Sequence, residues 1–569
     1  MEIVESLIKQ SPLIALFITI ALGYTFGKLK VGTFVLGGIA GTLLVGVAVG
    51  QFGVKIDPGV KGIFFALFIY AVGFQGGPQF FRALNLRSLN ELISAFVMCV
   101  VGLLCVLLSA WAFGLDRGTA AGLAAGGLTQ SAIIGTAGDA IAKLDVSADL
   151  KQIMEANVAV GYAVCYIFGS LGPIIMATWF FPTIMKWDIR EEAKKLSAKM
   201  SGGAAELEPG QYNAAHSIDT RFYTLAETSK AVGKTAIDID VELTDAAVEA
   251  VIRDGKAVDL VGATKLKAGD LVAVTGLVRV LEHSNKYFGR EAEPPAEFQL
   301  VEESRAVVLT NLKLAEKDLK TLHKSVSAET RHGIFLTGIR RMGYDMPLLP
   351  GTVLHRGDVL QITGSSSDLD RVQAKIGYKI SAAAVTDFIF FGIGMAIGLL
   401  IGLIEFKIAG VPVSVGSGGG CLLSGLFFGW LRSTHPRFAG FPPGASNYLR
   451  DFGLAVFVGI VGITAGPQVL TTVQQYGLLL FFLGVGVTII PQIITFYFSY
   501  YVLKIKNPIE ALACVVGGRS ANPGFAALLN KAGNATPVVP FTVTYAVANV
   551  LLTLWGPIII GIITKNPSP

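Results

Sequence analysis

About ten stretches of this chain are apolar for long enough to cross a lipid bilayer, and a charged segment divides them into two groups. A span needs roughly 17–25 apolar residues. Such runs lie at about 12–28, 33–53, 60–78, 90–114 and 152–181, then at about 386–405, 412–431, 452–470, 477–502 and 539–563. Only 15% of the 569 residues are charged, against about a quarter in a soluble protein. Most of those charges fall in residues 186–384. The chain therefore reads as a first transmembrane repeat (1–185), a linker (186–215), two soluble modules (216–295 and 296–384) and a second transmembrane repeat (385–569).

Two further apolar segments, at about 119–143 and 509–532, are interrupted. They read GLAAGGLTQSAIIGTAGDA and ALACVVGGRSANPGFAALL. Paired glycines and a proline break a helical hydrogen-bond ladder. Basic loops mark the cytoplasmic side. Lys28 and Lys30, Arg82 and Arg87, Lys186 to Lys195, Arg432, Arg437 and Arg450, and Lys504 and Lys506 all fall on one side under a single assignment. That assignment needs five crossings and one re-entrant segment per half, with the modules in the cytoplasm.

The two halves repeat each other. GTLLVG at 41–46 matches GCLLSG at 420–425, and FFALFIYAVGFQGGPQFF at 64–81 matches GLAVFVGIVGITAGPQVL at 453–470. Gly126–Gly127 before TQSA matches Gly517–Gly518 before SANP, and YAVCYIFGSLGPIIM at 162–176 matches YAVANVLLTLWGPIII at 545–560. The separation stays near 380–390 residues throughout. An odd number of crossings per half makes the second half inverted. The expected fold is thus a polytopic α-helical membrane protein with an inverted repeat and an α+β insert. In the insert, two units of roughly 80 residues, beginning near Phe222 and Phe298, each carry short alternating strands. Each also has a Gly-Asp turn (Gly269–Asp270, Gly357–Asp358) and a closing helix.

Several functions are unsupported. The net charge of +5 is modest, and nucleic acid is not expected as a partner. Cys99, Cys105, Cys165, Cys421 and Cys514 are far apart in apolar segments, as small buried hydrophobes would be. His216, His283, His323, His332, His355 and His435 form no HExxH or Cys/His spacing, so no metal site and no cofactor is expected. No GxSxG, and no Walker A sequence, is present. GSGGG at 416–420 lacks the Lys-Ser/Thr of a phosphate loop, and close helix packing explains it. The N-terminal segment MEIVESLIKQSP lacks a basic n-region, so the first apolar run is expected to stay in the membrane.

Inverted repeats with broken helices are a transporter device, and substrate lies where the breaks expose backbone groups. Irregular backbone at that depth is tolerated only beside protein or water. The first break offers Thr129, Gln130 and Ser131 beside Gly126 and Gly127. The second offers Arg519, Ser520 and Asn522 beside Gly517, Gly518 and Pro523. An Arg in an apolar segment is costly and functional by default, and its fork suits a carboxylate; snorkelling to the interface is the plainer alternative. Gln75, Gly77, Pro78 and Gln79, with Gly466, Pro467 and Gln468, form the repeated GPQ motif, readable as a site, a hinge or a helix stop. Asn157 and Asn549 are polar within the last spans, where helix–helix hydrogen bonds also place such residues. Asp139, Glu155 and Asp387 could hold a cation or proton, but solvated segment ends fit them better.

Taken in order, GFQGGPQFF, GITAGPQ, the paired G-G breaks and the two central modules resemble the aspartate:alanine exchanger family of bacterial secondary transporters. The modules resemble the C-terminal RCK (TrkA-C) domain. The resemblance covers nearly the whole chain and implies exchange of small carboxylates, such as aspartate for alanine, or a dicarboxylate such as succinate, across the bacterial cytoplasmic membrane. It implies an antiporter rather than an enzyme, an elevator-like mobile unit, bilayer lipid and a second copy of the chain as partners, and modules that bind a small ligand or only pack. A module-regulated cation symporter or channel is the main rival. It lacks a TVGYG-like filter and places Arg, not acids, at the breaks. A membrane-anchored sensor would need no duplicated, broken spans.

Overall fold

The computed structural model describes residues 11–31, 34–35, 37–83, 88–201, 218–243, 245–258, 260, 264–293, 301–380, 385–408, 411–435 and 438–567. Arg87, Arg437, His216, Phe298 and linker residues 202–215 lie outside the described residues. Two units form: residues 1–193 with 383–532 and 536–569, and residues 194–382 with 533–535.

In the membrane unit the first half runs α1 (Pro12–Gly27), a hairpin β1 (Lys30–Val31) and β2 (Phe34–Val35), α2 (Gly38–Gly50), α3 (Pro58–Ala83) and α4 (Leu89–Phe113). It continues with α5 (Arg117–Gly127), α6 (Ala132–Ala142) and α7 (Ala148–Ile175), the last prolonged by π-helical and α-helical turns to Met185. Among the described residues, six helical stretches of the unit are long and apolar enough to span a bilayer: 58–82, 89–113, 148–185, 443–469, 476–502 and 538–562.

The expected span 12–28 is α1, of 16 residues, about 24 Å at 1.5 Å per residue, and 33–53 is the 13-residue α2. Between them Lys30–Val31 and Phe34–Val35 pair antiparallel, with β-branched Val31 and Val35 and aromatic Phe34 suited to strands, and a hydrophobic run does not separate such a pair from helix. The close crossing of α1 and α2 depends on glycine. A Cβ on Gly41 would collide with Gly23 O and the Gly27 backbone.

In the insert, β3 (Ile218–Leu225), α8 (Ala236–Glu242), β4 (Ala246–Arg253), β5 (Lys256–Val258), β6 (Leu271–Leu277) and β7 (Gly289–Ala292) make an antiparallel sheet of order β5-β4-β6-β3-β7. A second sheet follows from β8 (Glu302–Leu309), β9 (Phe335–Arg341), β10 (Tyr344–Asp345), β11 (Val359–Ser365) and β12 (Gly377–Lys379), with α9 (Ser366–Ile376). Its order is β10-β9-β11-β8-β12, the same topology displaced by five strands. The Gly-Asp turns do the same work in both. Asp270 takes both Arg253 Nε (2.7 Å) and Nη2 (2.8 Å), and Asp358 takes Arg341 Nε and Nη2 at 2.7 Å each. Each bidentate pair ties a turn to the end of a neighbouring strand. Asp270 and Asp358 are buried and also accept from Lys267 N–H and His355 N–H.

The second half repeats the first: α10 (Phe388–Gly402), a hairpin β13 (Glu405–Ile408) and β14 (Val411–Ser414), α11 (Gly416–Thr434), α12 (Pro443–Tyr497), α13 (Pro508–Gly518), α14 (Asn522–Ala532) and α15 (Val538–Ile562). The glycine crossing recurs, since a Cβ on Gly420 would collide with Gly398 O and Gly402. One expectation is corrected here. The GPQ motifs do not stop their helices: Pro78 is inside α3 and Pro467 inside α12. The expected spans 452–470 and 477–502 correspond to two separate apolar stretches, 443–469 and 476–502, that α12 links. Gly77 and Gly466 instead permit close approach, to Leu426 and Trp430 and to Val47 and Gly50.

The interrupted segments are re-entrant. Asp116 caps α5 by accepting from Gly118 N–H and Thr119 N–H, and Asn507 caps α13 by accepting from Ile509 N–H and Glu510 N–H. Such caps satisfy orphaned N–H groups. Gly118, at the start of α5, lies against Met154 of α7, and the tip residue Gly126 lies against Tyr162 and Cys165. The return arm α6 comes back to the starting level, where Ala142 O accepts from Lys151 Nζ at 2.7 Å. α5 can sit this close to α7 because its facing residues are glycines. A Cβ on Gly122 would meet Val158 O at 2.5 Å.

Candidate substrate site

Both re-entrant segments turn by the same device. Thr129 N–H donates to Gly126 O (3.0 Å) and Gln130 N–H to Ala125 O (2.8 Å). In the second half Ser520 N–H donates to Gly517 O (2.8 Å) and Ala521 N–H to Val516 O (3.2 Å). This bond pair is a Schellman motif, whose left-handed position is ordinarily glycine. Here it is held by Thr129 at φ +54° and Ser520 at φ +59°. A left-handed residue with a Cβ costs about 1–2 kcal/mol. Both halves accept that cost and keep a hydroxyl, and strain of this kind gathers at ligand sites.

The side chains at the two tips converge. Gln130 Nε2 from the first break and Ser520 Oγ from the second both donate to Asn549 Oδ1, each at 3.3 Å. A second pattern is repeated: Ser131 Oγ lies 2.8 Å from Tyr162 OH, and Asn522 Nδ2 donates to Tyr545 OH at 3.3 Å. Thr129 Oγ1 donates to its neighbour's carbonyl, Leu128 O. Gln130 and Ser520 are buried, Ser131 is half-buried, and Asn522 and Pro523 are exposed.

Arg519 is fully buried, and its recorded bonds all go to main-chain carbonyls. Nη1 donates to Thr488 O at 2.9 Å, and Nη2 to Gly169 O at 3.0 Å and to Gly127 O. Gly127 closes α5, so a cation from the second half caps the negative end of a first-half helix. Thr488 Oγ1 donates to the same Gly127 O at 2.9 Å. The matched position does the matched work: Cys99 Sγ faces Gly518 O at 3.6 Å. Nε of Arg519 is buried without an acceptor, and among the described residues no carboxylate pairs with the guanidinium.

Other singled-out residues lie away from this convergence. Asn157 Nδ2 donates to Asp116 Oδ2 (3.2 Å) and its Oδ1 accepts from Thr472 Oγ1 (2.9 Å), so it serves the base of α5. Gln75 bonds Ser446, Asn447 and Arg450. Gln79 accepts from Arg82 Nη1 at 3.3 Å, and Gln468 Oε1 is buried without a partner among the described residues. Asp387 caps α10 through Ile389 N–H and Phe390 N–H. Asp139 and Glu155 are half-buried, and each has a partner. Asp139 accepts from Ser417 Oγ (2.6 Å) and Gly418 N–H (3.1 Å) at the start of α11, and Glu155 pairs with Lys61 at 2.7 Å. All three line a cavity of about 200 Å³ with Phe65, Gly138 and Phe457.

Sequence reading missed Tyr162, Tyr545, Thr488 and Asp116. The two tyrosines open the matched YAV stretches, and Thr488 stands 389 residues after Cys99, the spacing of the GPQ match. The repeat could have found them.

A duplicated helical half, a re-entrant break in each copy and polar tips meeting within the membrane unit define a multi-pass membrane transporter. The chain belongs to the aspartate:alanine exchanger family: the region described as Predicted Permease Membrane Region matches residues 15–182 and 390–561. A TrkA-C domain matches residues 304–377, the second module; the first module lies outside that match but has the same sheet order. An uncharacterized transporter of Francisella tularensis subsp. tularensis is 51% identical over all of this chain and 99% of its own length. Uncharacterized transporters of Zymomonas mobilis subsp. mobilis (42%, 99% of each chain) and Shewanella oneidensis (34%, 97% of this chain and 98% of the relative) are also similar. No solved structure matches.

Proposed function

We propose that this transporter is an antiporter exchanging small carboxylates or amino acids, with substrate held between the two re-entrant tips. The observation that carries the reading is the meeting of Gln130 and Ser520, from opposite halves, on Asn549. A ligand inserted there replaces weak 3.3 Å contacts with its own polar groups. Two helix N-termini, those of α6 and α14, begin at the tips, and such ends favour anions. Arg519 adds a positive charge that no carboxylate offsets among the described residues, and its Nε–H has no acceptor among them. Fully buried, Arg519 meets substrate directly only when the tips part. Ser131, Asn522 and the paired tyrosines complete the polar lining.

The re-entrant arms pack crosswise, which supports a common moving unit. α5 lies on α7, while α6 bonds α15 through Thr136 Oγ1 to Thr553 O at 2.9 Å. α14 meets α7 at Pro173 and stacks Phe525 on Phe541 of α15. The six elements α5, α6, α7, α13, α14 and α15 would travel together in elevator fashion. The basic loop residues favour a cytoplasmic insert in a bacterial inner membrane.

Counterflow in liposomes tests the reading. Vesicles preloaded with unlabelled aspartate, alanine or succinate are given each labelled acid outside. Exchange predicts uptake that needs a matching internal load and is lost on Asn549→Ala. Carboxylate uptake indifferent to the load refutes exchange.

A further inference from the structure

We propose that the soluble insert holds one divalent transition-metal ion, of the Zn²⁺ or Mn²⁺ class, between its two modules, bound by Glu249, His332 and Asp368 and oriented by Asp240. One carboxylate oxygen each of Glu249 and Asp368 and one ring nitrogen of His332 lie within 4.8 Å of one another. Zn²⁺ bonds to His and carboxylate run about 2.0–2.2 Å, so bound donors stand at most about 4.4 Å apart. The set needs to close by only a fraction of an ångström. Imidazole suits transition ions and carboxylates suit harder ones, which selects the borderline class named.

The surroundings are built for an ion. Glu249 sits at a β-bulge where β4 slips its register against β6, between Val248 and Ala250. A bulge re-aims a side chain, and Glu249 Oε1 ends sealed from solvent with no hydrogen-bond donor among the described residues. His332 Nδ1 bonds Asp240 Oδ2, the carboxylate–histidine pairing that orients metal-ligating imidazoles, and Nε2 is left for the ion. The His332, Asp368 and Asp240 side chains are only 17%, 13% and 8% exposed. Gly333 adjoins the cluster at φ +64°, and a Cβ there would collide with Glu249 Oε1 and meet Asp368 Oδ2 at 2.5 Å.

Charge points the same way. Three carboxylates face one fixed cation, Arg371, which donates to Asp368 Oδ1 at 2.5 Å and His332 O at 2.7 Å. Ser365 Oγ donates to Asp368 Oδ2 at 2.6 Å, and each carboxylate oxygen retains a further lone pair. With His332 neutral the net charge is −2, which a divalent ion cancels. Glu249 and Asp240 belong to the first module, His332 and Asp368 to the second, so the ion would clamp the modules together.

The test uses full-length, tag-free protein in detergent, stripped with chelator and titrated calorimetrically with Zn²⁺ and with Mn²⁺. One ion per chain is expected. Binding should vanish in Glu249→Gln and in His332→Gln, and weaken about 10–100-fold in Asp240→Asn. Hydrogen exchange of the β4 and α9 peptides shows that each variant is folded; if one is not, the other ligand variant decides. Failure of wild type to bind either ion overturns the proposal. So does binding that survives unchanged in the folded ligand variants.

Discussion

Arg519, at the break of the second repeat, donates to the carbonyl of Gly127, the residue that closes the inbound arm of the first repeat. One side chain thereby joins the two tips. It also supplies donors to Gly169 and Thr488, so three carbonyls within the membrane unit accept from it.

Arg519→Lys keeps the charge and loses the fork. A single ammonium cannot reach all three carbonyls; Gly127 O keeps Thr488 Oγ1 and Thr488 O keeps Gln492 Nε2, and loss of the bond to Gly169 O costs about 1–3 kcal/mol. We expect a clear fall in melting temperature of the detergent-solubilised protein and loss of exchange in liposomes. Retained exchange with lowered stability would assign Arg519 to charge alone.

Ser520→Gly separates strain from function. Relief of the left-handed residue is worth about 1–2 kcal/mol, and the added backbone entropy of glycine costs about 0.5–1. The variant should be slightly more stable in thermal unfolding. It should also transport less, because the hydroxyl that meets Asn549 is gone. Thr129→Gly should behave alike in stability.

Gly122→Val places a branched side chain where even a Cβ meets Val158 O at 2.5 Å. Overpacking costs about 1–3 kcal/mol. α5 must then move off α7, and monodisperse yield and thermal stability should both fall. The same change at Gly53, where a Cβ would meet nothing within 4 Å but φ is +71°, probes backbone strain without the clash.

Asp270 gives the insert an acid limit. Burial raises its carboxyl, but Arg253 and the Lys267 N–H outweigh that and leave it below the ordinary Asp value of 3.8. A depressed folded value means the stabilisation is complete above that ordinary value and lost as pH falls through the lower, folded one. Hydrogen exchange of peptide 265–277 in the full-length protein should lose protection below about pH 4. Asp270→Asn should lower protection already at pH 7 and flatten the acid limb.

Much of the fold was legible because hydrophobicity, glycine pairs and repeat spacing are local properties. The duplicated halves, the breaks at Gly126–Gly127 and Gly517–Gly518 and the tandem modules all follow from residues near one another in the chain. The runs at 12–28 and 33–53 hold apolar helices of 16 and 13 residues, and a hydropathy count does not mark the strand pair between them. Pro78 and Pro467 read as stops, yet tertiary packing carries their helices onward.

The sequence by itself determined that the chain crosses a membrane, that it does so twice over, and where each copy must break. Those outcomes rest on transfer free energy and backbone freedom, which each segment carries with it. Only the tertiary structure decided what the breaks hold. Gln130 and Ser520 are 390 residues apart in the chain and meet on Asn549, while Asn157 is drawn away to Asp116. Arg519 reads from sequence as a carboxylate ligand. The fold surrounds it with main-chain carbonyls, that of Gly127 at the end of α5, Gly169 within α7 and Thr488 within α12, and a buried donor takes the acceptors that packing brings to it.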